Sequence, residues 1–140
     1  KKIMSTLSRF KHESPFEVRD KAREIEAYLM KICMNEKYFP KRYRFVLTTD
    51  LLDDAHKMVD YLEAANLLPL NPTFAERRET YARYAYIKCE NILRKFDLAE
   101  NLGLPIPNGT MVDIITRMVN EETLINNWIK SDNERLKVTD

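Results

Sequence analysis

The stretch KYFPKRYRF, Lys37 to Phe45, gathers four cations, four aromatics and one proline into nine residues with no acid among them. Pro40 decides how the chain around it is divided. A proline pushes the residue before it out of the α region, yet it is tolerated at the first turn of a new helix because the N–H it lacks has no partner there. One helix is therefore predicted to end before Pro40 and a second to begin near Lys41.

Working outward, Ser14-Pro15-Phe16-Glu17 supplies a start for the first helix. Ser stands at the N-cap, Pro at the first helical position, and Glu three residues on to close a capping box. That helix is predicted from about Pro15 to Lys37. Val18, Ala22, Ile25, Leu29, Ile32 and Cys33 recur at steps of three and four as its buried stripe.

The second helix is predicted from Lys41 to Asn66, with Phe45, Leu47, Leu51, Leu52, Ala55, Met58, Val59 and Leu62 facing inward. Leu67-Leu68-Pro69-Leu70-Asn71-Pro72 breaks it. A third helix follows from Pro72 to Leu102, burying Phe74, Tyr81, Ala85, Cys89, Ile92, Phe96 and Ala99, and Gly103 is placed to stop it in the left-handed conformation. Thr110 and Asp113 form a weaker capping box for a fourth helix, predicted from Met111 to Lys137. Its expected apolar set is Val112, Ile115, Met118, Val119, Ile125, Trp128 and Ile129.

The chain has 140 residues, enough for one domain with a real core. Its glycines are only Gly103 and Gly109, which argues against hairpin-rich β folds. Four long helices with short connections predict an all-α, antiparallel up-down-up-down four-helix bundle over residues 14–137, preceded by a flexible N-terminal arm over residues 1–13. Cys33 and Cys89 fit no metal-knuckle or disulfide pattern. No signal-peptide pattern and no apolar run of roughly 18 residues is present, so a soluble, cytoplasmic protein is expected.

Catalysis is hard to assemble from these residues. His12 sits in the arm and His56 is alone on the second helix. Asp53 and His56, three apart, make one imperfect half of the Glu-x-x-His pattern that di-metal bundles use twice; a boundary histidine bonded to a carboxylate is the plainer reading. No Gly-rich phosphate loop occurs. The expectation is a non-enzyme with no catalytic residue, no metal and no cofactor.

Charge patterning says more. With 23 Lys plus Arg against 22 Asp plus Glu, the net charge of +1 gives no global attraction to polyanions. Locally, Lys37 to Thr49 holds four bases and no acid, while Asp50 to Glu63 holds five acids and one Lys. Cations at a helix start oppose its dipole at a cost of a few tenths to about 1 kcal/mol, which suggests that they serve another purpose. On the third helix Arg77, Tyr84, Lys88, Asn91 and Lys95 follow helical spacing beside Arg78 and Arg94, predicting a second basic stripe suited to phosphates and stacked bases. The competing view is an ordinary solvated face offset by Glu76, Glu79 and Glu90.

Phe39-Pro40-Lys41 followed by Arg44 and Leu47 resembles the Phe-Pro-Lys-x-x-Arg-x-x-Leu motif of the accessory variability determinant proteins of diversity-generating retroelements. These belong with the small bacterial four-helix bundles once named after an intervening sequence in ribosomal RNA. Glu63-Ala64-Ala65-Asn66, the segment Arg83 to Ala85 and Trp128-Ile129-Lys130-Ser131 extend the likeness over about Glu17 to Ser131. Thr48 stands where many members have glycine, and the net charge is less basic than theirs. The resemblance implies a non-catalytic homo-oligomer, a pentamer, that binds a reverse transcriptase and its template RNA or DNA and supports mutagenic complementary-DNA synthesis. It implies no membrane partner. The candidate binding residues are then Lys37, Lys41, Arg42 and Arg44 at the corner, with Arg77, Arg78, Arg83, Lys88, Arg94 and Lys95 on the third helix. The alternative is an adaptor bundle that binds only protein.

Overall fold

The computed structural model describes residues 14–139 as four long helices with no strand, an all-α four-helix bundle. They are α1 (Ser14–Cys33), α2 (Thr49–Leu67), α3 (Ala75–Asn101) and α4 (Asn108–Thr139). The arm expected over residues 1–13 lies outside the described residues. Helix α1 packs on α2 and α4, and α3 packs on the same two, so the four enclose one core.

Helix α1 ends at Cys33, short of the predicted Lys37, because Asn35 takes over the backbone. Its carbonyl accepts the amides of Tyr38 and Phe39, and its side-chain oxygen accepts the amide of Lys37 at 2.9 Å. An Asn that bonds its own neighbours competes with the helical ladder and favours a turn. Asn71 acts likewise before α3: its Oδ1 accepts the Phe74 amide at 3.1 Å and its carbonyl the Ala75 amide at 2.9 Å. Pro72 and Thr73 consequently lie in the connection rather than in the helix.

Gly103 ends α3 as expected, with φ at +76°. The amide of Leu104 donates to Ala99 and that of Gly103 to Glu100, the Schellman pattern, with Leu104 turned into the core. Helix α4 then starts at Asn108, three residues before the predicted Met111. The Pro107 carbonyl accepts the Met111 amide at 3.0 Å, so the helix is under way before Thr110 could cap it.

The stripe predicted for α1 is buried throughout, and Leu47, Leu51, Ala55, Met58 and Leu62 of the second segment join it. Two expectations are corrected. Phe45 is 83% exposed, and on α4 the buried seam is Met111, Ile114, Met118, Ile125, Trp128 and Ile129, leaving Val112, Ile115 and Val119 exposed. Burying a side chain the size of Leu62 or Met58 contributes about 1.5–3 kcal/mol, so the true seam is the one that closes the bundle.

The interior also contains acids. Glu121 is fully buried on α4, and neither of its carboxyl oxygens has a hydrogen-bond partner. Burial, reinforced by the Glu17 carboxylate and opposed by Lys21, pushes it up to about 8. Glu122 beside it is raised as well, first by burial and then by its hydrogen bond and repulsion with Glu90. Protonated, both can sit in the core without an uncompensated charge.

These shifts set a pH dependence of stability. The ordinary value for both is 4.5, so their stabilisation is complete below that pH and is lost as pH rises towards 8, where the folded protein too must ionise. Thermal melts followed by circular dichroism should lose at least about 5 °C between pH 5 and pH 8.5, given that about 1 kcal/mol moves Tm by roughly 2–4 °C at this size. Glu121→Gln should flatten that slope; an equally steep slope in the variant would remove Glu121 as its source.

Candidate nucleic-acid interface

The corner between α1 and α2 is built on Phe39. Its ring is buried and meets Phe96 of α3 edge-on, with centroids 6.0 Å apart and planes at 85°. Edge-to-face aromatic pairs of this kind add about 0.5–1.5 kcal/mol beyond burial. Pro40 follows in an extended conformation, φ −57° and ψ 149°, and its carbonyl accepts the Tyr43 amide at 2.9 Å.

The chain from Lys41 to Tyr43 forms a 3₁₀ turn, and Arg44 to Thr48 forms a π-helical turn in which the Thr49 amide bonds the Arg44 carbonyl. The regular α-helix begins only at Thr49. Phe45 departs from its predicted inward position because Leu47, four residues before Leu51, takes the core face, and Phe45, two residues from Leu47, is turned to solvent with Val46.

Lys37, Lys41, Arg42 and Arg44 are all exposed at this corner. Lys41 meets Glu36 at 3.6 Å, with both side chains more than half exposed, an ion pair worth 0–1 kcal/mol. Arg42 lies 5.0 Å over the half-buried Tyr43 ring, which keeps its guanidinium outside. Lys37 and Arg44 have no carboxylate within ion-pair distance among the described residues. A small recess at the turn is lined by Cys33, Met34, Glu36, Phe39, Pro40, Lys41, Arg44 and Thr48. Burial pushes the Cys33 thiol up to about 12, so it adds no negative charge there.

The stripe predicted on α3 is largely redirected inward. Arg78 is only 6% exposed; its Nε and Nη2 donate to Asp132 of α4 at 3.0 and 3.2 Å, and its Nη1 donates to the carbonyls of Ala65 and Leu68. It also lies 5.5 Å over the Trp128 ring. Lys88 and Lys95 both reach the buried Asp54 of α2, Lys88 at 3.4 Å, and Lys95 makes the tighter bond. Arg83 pairs with Glu79 one turn earlier at 2.9 Å. Arg77 and Arg94 alone of the predicted α3 cations remain exposed and have no carboxylate partner among the described residues.

Arg78, Lys88 and Lys95 therefore do not belong to an exposed phosphate-binding surface: buried carboxylates already hold them. Asp54 and Asp132 escaped the sequence reading, although helical phase carries a signal. Asp54 stands three after Leu51 and four before Met58, and Asp132 stands four after Trp128, so each occupies a core position. Tyr84, expected among free bases, instead closes an aromatic cluster, 5.3 Å from Tyr61 and 6.5 Å from Tyr81.

His56 and Asp53 each face a different partner. His56 Nδ1 lies 2.7 Å from Glu26, the boundary arrangement expected for it, while Asp53 holds Lys57 at 2.9 Å, which lowers the Asp53 carboxyl below its usual range. Among the described residues no group of three or more His, Cys, Asp or Glu side chains is placed to bind a metal ion. No described helix is long and apolar enough to cross a membrane. Comparison of the chain with protein-family models, curated proteins and solved structures finds no match.

The assignment of Arg78 to the interior has a measurable consequence. Removing one member of a buried ion pair leaves the other uncompensated at about 3–5 kcal/mol, whereas surface changes stay within about 0.5 kcal/mol. Urea unfolding of Arg78→Ala should show the larger loss, and that of Arg77→Ala should overlay the parent curve.

Proposed function

We propose that this chain is a non-catalytic accessory protein of a diversity-generating retroelement, binding RNA or DNA through the α1–α2 corner and working beside a reverse transcriptase in mutagenic complementary-DNA synthesis. One observation carries the reading: Lys37, Lys41, Arg42 and Arg44 are all exposed on a corner anchored by Phe39, with Glu36 the one carboxylate paired with them among the described residues. Clustered cations release counterions when they neutralise phosphates, which drives binding even where the total charge is balanced. Exposed Phe45 and Val46 beside them offer apolar surface to bases or to the polymerase. Arg77 and Arg94 extend the cationic set.

The resembling motif agrees with this division of labour. Phe39 anchors, Pro40 turns the chain, Lys41 and Arg44 stay outside, and Leu47 enters the core.

The reading takes the helices as running up-down-up-down. Arg19 and Arg23 of α1 reach Glu63 late in α2, whereas Glu26, further along α1, reaches the earlier His56. Tyr28, late in α1, lies under Arg117, early in α4, and Arg78, early in α3, meets Asp132, late in α4. Early-with-late pairing is what antiparallel neighbours produce.

The reading also takes the protein as a homo-oligomer, a pentamer by resemblance. Val112, Ile115 and Val119, at steps of three and four along α4, are 44–63% exposed and supply apolar surface for self-association. A closed ring repeats each corner about its axis and multiplies the phosphates contacted.

Fluorescence anisotropy with a labelled single-stranded RNA of about 20 nucleotides tests the nucleic-acid reading. Affinity should fall with salt at a log–log slope near −3 per protomer if four phosphates are neutralised at about −0.7 each. Lys41→Glu with Arg44→Glu should weaken binding at least about tenfold, roughly 1.4 kcal/mol, with unchanged helical circular dichroism. No binding at low salt, or unaltered affinity in the variant, would instead favour an adaptor that engages protein alone.

Light scattering on the purified protein should give a multiple of the 16.6 kDa chain mass. Val112→Glu with Val119→Glu should reduce that mass towards a single chain. A parent protein of single-chain mass would refute the ring.

A further inference from the structure

We infer that the recess beneath the corner is a subsite for one phosphate group, bonded by Arg44, Lys41 and the hydroxyl of Thr48. The inference rests on the proposed nucleic-acid reading and gives it a contact point.

Thr48 supplies the independent observation. Thr80, Thr116 and Thr123 each donate their hydroxyl to the carbonyl four residues back, at 2.8–3.1 Å. Thr48, four residues after Arg44 in the π turn, makes no such bond, and its buried Oγ1 has no partner. An orphaned buried hydroxyl costs about 1–3 kcal/mol, and Thr48 lines the recess together with Lys41 and Arg44.

The size and charge of the recess fit the ligand. Its volume is about 60 Å³, several times the roughly 10–15 Å³ that one water needs, which suits a tetrahedral oxyanion better than a base or a sugar. Arg44 can offer a planar fork of donors and Lys41 a mobile ammonium, while Thr48 adds a neutral third donor. Glu36 is the opposing charge. It holds Lys41 only at 3.6 Å and is itself largely exposed, so it can swing aside as a phosphate takes the ammonium. The Cys33 thiol, raised by burial, remains neutral against the anion.

Two-dimensional amide NMR with inorganic phosphate and with single-stranded RNA, titrated separately, tests the subsite and separates its two sources of phosphate. Both ligands should shift the Thr48 and Thr49 amides. Thr48→Val should abolish the phosphate-induced shifts and weaken RNA binding about three- to tenfold, and Arg44→Gln should do the same by a change that leaves the core untouched. RNA binding with those amides unmoved, or with full affinity in both variants, would overturn the subsite and leave the nucleic-acid reading standing. Shifts with phosphate in a protein that binds no RNA at all would keep the subsite for free phosphate and remove the nucleic-acid reading. No shift with either ligand would remove the subsite.

Discussion

The corner of this protein depends on one ring. Phe39 is driven into the core by its own hydrophobicity and met edge-on by Phe96 of α3, and that contact fixes where the chain leaves α1 and how it enters α2. Tyr38 and Tyr43 pack partly against the core beside it, while the cations of the same stretch stand outside. Exposure of Lys37, Lys41, Arg42 and Arg44 is in this sense a consequence of packing. A corner without such an anchor would let the same cations fold back onto the acids of α2.

The interior adds a second level of selection among charges. Asp54 draws in Lys88 and Lys95, and Asp132 together with two backbone carbonyls holds Arg78. Each acid gathers bases that would otherwise decorate the surface, so a chain with nearly balanced totals separates into an internally neutralised body and a corner with a surplus of positive charge. Arg78 also joins α3, α4 and the connection after α2, which makes it a tie between elements rather than a binding group.

Local signals were legible in the sequence where they act over a few residues. Gly103 closes α3 with positive φ, as its position after the third apolar run predicts. The α1 stripe needed nothing more than a period of three and four. Elsewhere a pattern had two solutions. On α4 the β-branched set Val112, Ile115 and Val119 has the same spacing as the true seam through Met111, Ile114 and Met118, and the seam runs on through Glu121, which an apolar reading rejects. Asp54, Arg78 and Asp132 were passed over as core residues despite the phase of the two acids, because a charge is assigned to the surface until a partner far along the chain neutralises it. Lys88 and Lys95, expected on an exposed stripe, are drawn in with them, while the corner cations are exposed.

The π turn at Arg44 to Thr48 acts as a phase shifter. Each residue of an α-helix advances the side chains by about 100°, and one residue accommodated in a wider loop rotates all that precedes it relative to all that follows. Excising a single residue there would restore an unbroken α ladder, yet it would turn everything upstream of the deletion by about 100° about the helix axis relative to α2. Chain length at this point therefore encodes direction: the same amino acids, one fewer in number, would aim the corner elsewhere.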